Sequence, residues 1–239
     1  MSSCLCVIIV GKNFQRKGYE MTKEEYIEKM NSDHEWAPGW DAIGDEFDRL
    51  YPGQEPSHYG TVMTKRAIFG GEEYLDGFSF YKNDAGYLHL VTFGMTELYA
   101  DPDSFGEDYS RWGYEMTMKL KEEEPSDCMW AINILSNLAR YTYKTKKFFE
   151  PGDHIGGNGS SIHEGTPSLI TALLVVNDTT AQGQDSVHGR VDFLQMVGIT
   201  QSELEAIRKD DSNIDRLIKL MKKDSPELVT DMQRDFSYL

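Results

Sequence analysis

Four short runs rich in aromatic and β-branched residues, 61–69, 75–81, 87–93 and 114–120, follow one another with only turn-forming sequence between them. Gly70-Gly71, Asn83-Asp84-Ala85-Gly86 and an acidic stretch separate them, and extended runs joined by such short breaks pair as antiparallel strands. Two further apolar runs, 168–176 and 191–197, are uniform enough to be central strands. Helical spacing surrounds this set. Trp40, Ile43, Phe47 and Leu50 recur at three- and four-residue steps between Pro38-Gly39 and Pro52-Gly53. Residues 127–144 carry the strongest helical pattern, with Trp130, Ile134, Leu138 and Tyr141 as its stripe, and 201–223 returns to it with a break near Asp211. This order predicts one α+β domain, a mixed and mostly antiparallel sheet flanked by helices.

The segments before that domain read differently. Thr22 stands three residues before Glu25, the spacing of a capping box, and opens a short polar helix read as an arm over 21–37, with the domain itself over 38–235. The apolar run 4–11 lacks a preceding cation, and Lys12, Arg16 and Lys17 fall on its wrong side for a secretory signal. Arg16-Lys17-Gly18 can be encoded by a purine-rich stretch shortly upstream of Met21, which resembles a bacterial ribosome-binding site. The expectation is a native start at Met21, with 1–20 an upstream extension; a genuine short strand is the alternative.

Composition narrows the function. The chain has 239 residues and a net charge of −16, which repels phosphate backbones and anionic lipid, so neither nucleic acid nor membrane is an expected partner, whereas a basic protein is. Cys4, Cys6 and Cys128 cannot all pair, which fits a reducing cytoplasm, and no apolar run approaches the roughly 20 residues of a membrane span.

A screen for chemistry finds no catalytic constellation. The glycine-rich run Gly152-Asp-His-Ile-Gly-Gly-Asn-Gly-Ser-Ser-Ile-His-Glu-Gly165 has no phosphate-loop lysine, no dinucleotide fingerprint and no nucleophile elbow. Asp101-x-Asp103 starts like a calcium loop but places Phe105 and Trp112 where oxygen ligands are required. His34-Glu35 and His163-Glu164 lack a second histidine at ligand spacing, and His154 with His163 is a bare pair. His89 reads as a hydrogen-bonded strand histidine and Cys128 as buried filler. No cofactor or metal is implied.

Taken together, several blocks resemble the suppressor of fused (SUFU) domain family: Pro38-Gly39-Trp40-Asp41-Ala42-Ile43, Leu50-Tyr51-Pro52-Gly53-Gln54-Glu55-Pro56, Leu75-Asp76-Gly77, Val91-Thr92-Phe93-Gly94, Glu97-Leu98-Tyr99, Tyr114-Glu115-Met116-Thr117, Trp130-Ala131-Ile132-Asn133, Pro151-Gly152-Asp153-His154 and Phe193-Leu194-Gln195-Met196-Val197-Gly198. They run in family order to Leu228-Val229-Thr230-Asp231. The resemblance implies a domain without known catalysis that binds proteins. In animal members, a second domain helps clamp a strand of Gli transcription factors; this chain ends near Asp231, so that clamp is not expected to transfer. Bacterial single-domain members resemble immunity proteins of polymorphic toxin systems, and a cytoplasmic immunity protein that occludes a toxin domain is the leading expectation. A regulator or scaffold that binds an extended peptide is the alternative.

The resemblance also implies sites. Tyr99 matches the family tyrosine near the peptide clamp, and Glu115 matches the glutamate of a Phe-Glu-Leu-Thr strand. Tyr87-Leu88-His89-Leu90 departs from the family's His-Trp-His-Tyr, which leaves any shared surface there open. The acidic segment 101–108, with Asp101 and Asp103 followed by Tyr109 and Trp112, combines charge with aromatic anchors of the kind that dominate interfaces; the same residues also read as a solvated turn with its aromatics folded onto the core. The run from Gly152 to Gly165 falls where the family has a connecting loop.

Overall fold

The computed structural model describes residues 21–60, 75–156 and 158–239. In chain order the elements are α1 (Lys23–Ser32), α2 (Pro38–Leu50), β1 (Ser57–Gly60), β2 (Gly77–Asn83), β3 (Tyr87–Phe93), β4 (Tyr109–Leu120), a 3-10 turn (Pro125–Cys128) running into α3 (Met129–Thr145), β5 (His154–Gly156), β6 (Ile170–Asn177), β7 (Gln184–Ser186), β8 (Gly189–Thr200), α4 (Gln201–Lys209) and α5 (Asn213–Asp224). The eight strands form one sheet in the order β1-β2-β3-β4-β8-β6-β5, with β7 paired to β8. β4 and β8 run parallel and the other pairs are antiparallel, so the expected mixed sheet flanked by helices is observed.

Local chemistry accounts for the element ends. Asn83 Oδ1 accepts the Ala85 N–H at 2.8 Å, and Gly86 sits at φ 83°, which closes the β2–β3 hairpin. Thr22 and Glu25 form both halves of the capping box of α1, and Thr200 with Glu203 repeats the device at α4.

The sheet buries both faces. α3 covers one, where Trp130, Ala131, Leu135, Leu138 and Ala139 meet Leu90, Met116, Met118, Leu173 and Met196. The other face carries two separate apolar clusters. α2 inserts Ile43 and Phe47 against Tyr81, Val91, Phe93 and Phe193. Leu204, Ile207, Leu217 and Met221 of α4 and α5 pack on Ala172, Leu174, Val176, Val197 and Ile199. Between the two clusters the central strand β4 presents Glu115, Thr117 and Lys119, all fully buried.

Three expectations change. The stripe of α3 is Trp130, Ala131, Leu135, Leu138, Ala139 and Thr142, and Tyr141 is exposed, because small residues rather than the largest ones let the helix approach the sheet. The glycine-rich loop begins with a strand, β5, that pairs His154–Gly156 with β6. The polar helix α1 is docked: Tyr26 is completely buried against Trp36, Phe105 and His188. The expected strand at 61–69 and the question of residues 1–20 lie outside the described residues.

Candidate functional site

The connection from β3 to β4 and the first half of β4, residues 94–112, hold five of the six positions singled out from sequence. Beneath them lies the sixth, Glu115, whose carboxylate is completely buried. It accepts hydrogen bonds from Thr92 Oγ1 (2.6 Å), Gly94 N (3.0 Å), Met95 N (3.3 Å), Thr96 N (2.9 Å) and Thr96 Oγ1 (2.7 Å). Burial pushes its pKa up, and these donors pull it back toward the ionised form. Glu115 therefore has no surface to offer a partner, a correction to its reading as a contact residue. Its physical role is to fix the backbone from Gly94 to Thr96.

Further ties hold the rest of the segment. Gly39 at the start of α2 donates its N–H to Leu98 O at 3.0 Å, and a Cβ there would lie 2.0 Å from Glu97 O, so only glycine allows the approach. Glu97 N donates to Ser110 Oγ at 2.9 Å, and Trp112 N to Met95 O at 3.3 Å. Asp101 N donates to the Tyr26 hydroxyl at 2.6 Å, and that hydroxyl faces His188 Nε2 at 2.7 Å. Burial pushes the Tyr26 phenol up to about 12 and the His188 imidazole down, so the tyrosine donates to a neutral histidine. His188 Nδ1 in turn faces Glu97 O at 3.2 Å. The docked arm thus reinforces the loop, a link with no local sequence signal because Tyr26 is 75 residues from Asp101 and 162 from His188.

The candidate residues divide by exposure. Tyr99 is partly buried on the α2 cluster, its phenol pushed up to about 12 by burial and by its hydrogen bond to Asp76. Asp101 is turned inward on its own loop, accepting from Asp103 N (3.0 Å) and Ser104 Oγ (2.8 Å), while Asp103 is exposed. Tyr109 is 59% exposed. β4 is irregular between Tyr109 and Tyr114, with Arg111 at φ 54° and Gly113 at φ 82°, a bulge that re-aims Arg111 and Trp112. Trp112 packs edge-on against Tyr143 with centroids 5.5 Å apart, and Tyr143 donates to Gly94 O at 3.2 Å. The structure brings these residues onto one preformed segment whose exposed members are Asp103, Glu107, Asp108, Tyr109 and Arg111.

A second polar cluster lies deeper, along the same face of β4. Asp178 accepts from His89 Nε2 (3.0 Å), Thr117 Oγ1 (2.6 Å), Lys119 Nζ (3.1 Å), Thr180 Oγ1 (3.1 Å) and the N–H groups of Thr180 and Ala181 (both 2.8 Å). Burial alone would raise its pKa, but the His89 and Thr117 hydrogen bonds and the Lys119 charge hold the carboxyl well below the usual range. Tyr51 OH lies 2.8 Å from His89 Nδ1, and burial pushes the histidine's pKa down, so a neutral ring accepts from the tyrosine and donates to the aspartate. Tyr51, His89 and Asp178 mimic a nucleophile-base-orienter relay in connectivity. His89 and Asp178 side chains are 0% exposed, and Tyr51 is stacked on Tyr81 beside Phe47, so no reactant reaches them. The cluster joins α2, β3, β4 and the segment after β6. Tyr87, in the stretch that departs from the family pattern, donates to Glu227 and ties β3 to the C-terminal segment.

The other candidate chemistry is equally placed in the framework. Cys128 is fully buried, its thiol pushed up to about 12 by that burial. His163 stacks on Trp130, with ring centroids 5.1 Å apart. No group of three or more His, Cys, Asp or Glu side chains suited to a metal occurs among the described residues. No helix among them is long and apolar enough to cross a membrane.

Comparison with known proteins agrees with the architecture. The family model described as "Suppressor of fused protein (SUFU)" matches residues 71–235. The human suppressor of fused homolog is 32% identical over 213 residues, which cover 82% of this chain and 43% of that protein; the mouse homolog gives the same figures. The chain thus spans less than half the length of these curated relatives. The crystal structure of Drosophila Suppressor of Fused superposes with a TM-score of 0.72 at 28% identity, covering 84% of this chain and 51% of that one. A chain of the Sufu–Fu complex gives the same score and identity and is covered over 92% of its length. A suppressor of fused homolog from Neisseria gonorrhoeae, at 15% identity and a TM-score of 0.58, shares the fold. On the matched family model, the identity to the animal proteins and the common sheet, the chain belongs to the suppressor of fused family.

Proposed function

We propose that this protein is a non-catalytic binding module, a cytoplasmic immunity protein that neutralises a cognate bacterial toxin by stoichiometric occlusion through residues 99–112. The observation that carries the reading is the preformed segment itself: Glu115, Gly39 and Tyr26 fix its backbone from three sides while Asp103, Glu107, Asp108 and Tyr109 project from it. A surface ordered before binding loses less conformational entropy on association. An acidic loop with an exposed aromatic suits a basic domain, with charge steering the encounter and the aromatic ring supplying buried area. In this reading the buried histidine cluster serves rigidity and there is no turnover.

Co-expression with a toxin gene found beside its own tests it. Growth is expected to be restored by the wild-type protein and lost with D103K/Y109A, a variant altered only at exposed positions. Toxicity unaffected by the wild-type protein sinks the immunity role.

A second reading, a regulator or scaffold that binds an extended segment of a cellular protein, is favoured by the 28% identity to the Drosophila structure against 15% to the Neisseria one. Affinity capture of a non-toxic partner, with binding retained by a short extended peptide from it, would select this reading.

A further inference from the structure

The charge of the chain is unevenly spread. It carries 40 acidic residues, yet residues 129–149 contain none, while Arg140, Lys144, Lys146 and Lys147 fall within eight positions of one another. The structure gives this bias a location. α3 ends at Thr145, Lys146 takes a left-handed conformation at φ 60°, and the chain turns with Lys144, Lys146, Lys147 and Phe148 all exposed. Phe148 is 53% exposed, and Tyr141, one turn before the helix end and stacked on Phe149 with centroids 5.8 Å apart, is 44% exposed. Among the described residues, no carboxylate lies within ion-pair distance of Lys144, Lys146 or Lys147.

Cations at a helix C-terminus have a local explanation, because they complement the helix dipole within the last turn. That accounts for Lys144. It does not account for Lys146, whose ammonium lies 5.7 Å from the Trp112 ring and 6.0 Å from the Tyr143 ring, nor for Arg111, which arrives from the β4 bulge to lie 4.8 Å over the same Tyr143 ring. Cations from two distant segments therefore converge on one aromatic pair, and two further rings near the same helix end, Tyr141 and Phe148, are partly exposed. A helix of a strongly acidic protein needs neither feature for solubility.

We infer that the C-terminal end of α3, with Arg111, is a docking surface for an acidic, extended segment of a protein partner that carries an apolar side chain. The carboxylates of such a segment meet Lys144, Lys146 and Lys147, and its apolar residue covers Phe148 and Tyr141. An anionic segment is chosen by charge complementarity, and the exposed rings select one with an apolar anchor. This surface adjoins the acidic segment 101–108 through Trp112 but has the opposite sign. The inference rests on the reading of the chain as a protein-binding module and adds a second subsite to it.

The test needs no cognate partner. A fluorescein-labelled oligoglutamate peptide with one central phenylalanine is titrated against the full chain at low salt and followed by anisotropy. The same is done with K144E/K146E/K147E, with the milder K144Q/K146Q/K147Q, and with R216E/K219E/K223E, which changes the same net charge on the exposed side of α5. The expected result is binding by the wild type, a loss of about tenfold or more on reversal at the end of α3, a smaller loss on neutralisation, and little change for the α5 control. Equal losses for both reversals, or no binding by the wild type, overturn the inference. So does a thymidine oligonucleotide that binds as tightly through the same lysines, since that marks a nucleic-acid surface. A negative result here, with D103K/Y109A still abolishing rescue of growth, removes the second subsite and leaves the acidic one standing.

Discussion

Replacing Glu115 separates a framework residue from a contact residue. In Glu115→Ala the three N–H groups of Gly94, Met95 and Thr96 lose their acceptor in a site with no solvent exposure, while the hydroxyls of Thr92 and Thr96 can turn elsewhere. An orphaned buried donor costs roughly 1–3 kcal/mol, and water entering the space recovers part of it, so a loss of about 4 kcal/mol is expected. Glu115→Gln keeps the shape. Its carbonyl can serve the position of Oε1, which takes three of the five bonds, leaving the amide nitrogen opposite Thr92, whose hydroxyl can reverse, and the Met95 N–H at 3.3 Å, which cannot. Loss of charge and one bond predicts about 2 kcal/mol. Urea unfolding followed by tryptophan fluorescence gives both numbers, and hydrogen exchange at Gly94 and Thr96 shows whether the loop opens before the rest. Two variants equal in stability, or Glu115→Ala within about 0.5 kcal/mol of wild type, would refute the assignment.

Tyr26→Phe removes the acceptor of Asp101 N and the donor to His188, and is expected to cost about 1–2 kcal/mol and to expose the link between α1 and α2 to limited proteolysis; unchanged cleavage argues that the arm docks by packing alone. His89 and His188 have folded pKa values depressed by burial below the ordinary 6.5, so the unfolded chain takes up protons first on acidification and stability falls as pH drops below that value. The slope is at most about 1.4 kcal/mol per pH unit for each histidine, and a flat urea stability between pH 7.5 and 5.5 contradicts it. Asp178, held below 3.8, adds stability that is complete above that pH and declines only in stronger acid. The Cys128 thiol, buried and pushed up to about 12, should react with a disulfide reagent only after unfolding in a chain beginning at Met21; fast reaction of the folded chain refutes its burial.

The parts of this fold legible in the sequence are those governed by neighbours along the chain. Tyr87–Phe93 is a strand with the bounds its composition predicts, and Thr22 with Glu25 caps a helix as their spacing predicts. Asp211 falls between α4 and α5, where the helical pattern breaks. β4 shows where such reading stops. Its alternation of Tyr114, Met116, Met118 and Leu120 with Glu115, Thr117 and Lys119 is the pattern of a strand with one face in water, yet both faces are buried. What closes the polar face is Asp178, about sixty residues away, and no periodicity announces a partner at that distance. The same holds for Glu46, fully buried and bound by Arg49, Gln182 N and Gln184. Family resemblance marks Glu115 as a position without saying whether it touches a partner or a loop.

That polar face explains why the second side of the sheet is divided. A continuous apolar face on β4 would have let α2 and α4 merge into one core, and ion pairs buried in its place bring no certain gain in stability over apolar packing. What the polar residues contribute is direction. Each has partners that only one arrangement of the chain supplies: Lys119 needs the hydroxyls of Thr179 and Thr180 as well as Asp178, and Glu115 needs the backbone of 94–96. An apolar cluster tolerates small shifts of register, whereas a buried charge with every bond filled does not. The fixed strand carries that constraint into the bulge between Tyr109 and Tyr114 and so into the exposed segment above it. On the proposed reading of the chain as a binding module, the position of that surface is the functional quantity, and the buried polar residues of β4 are what set it.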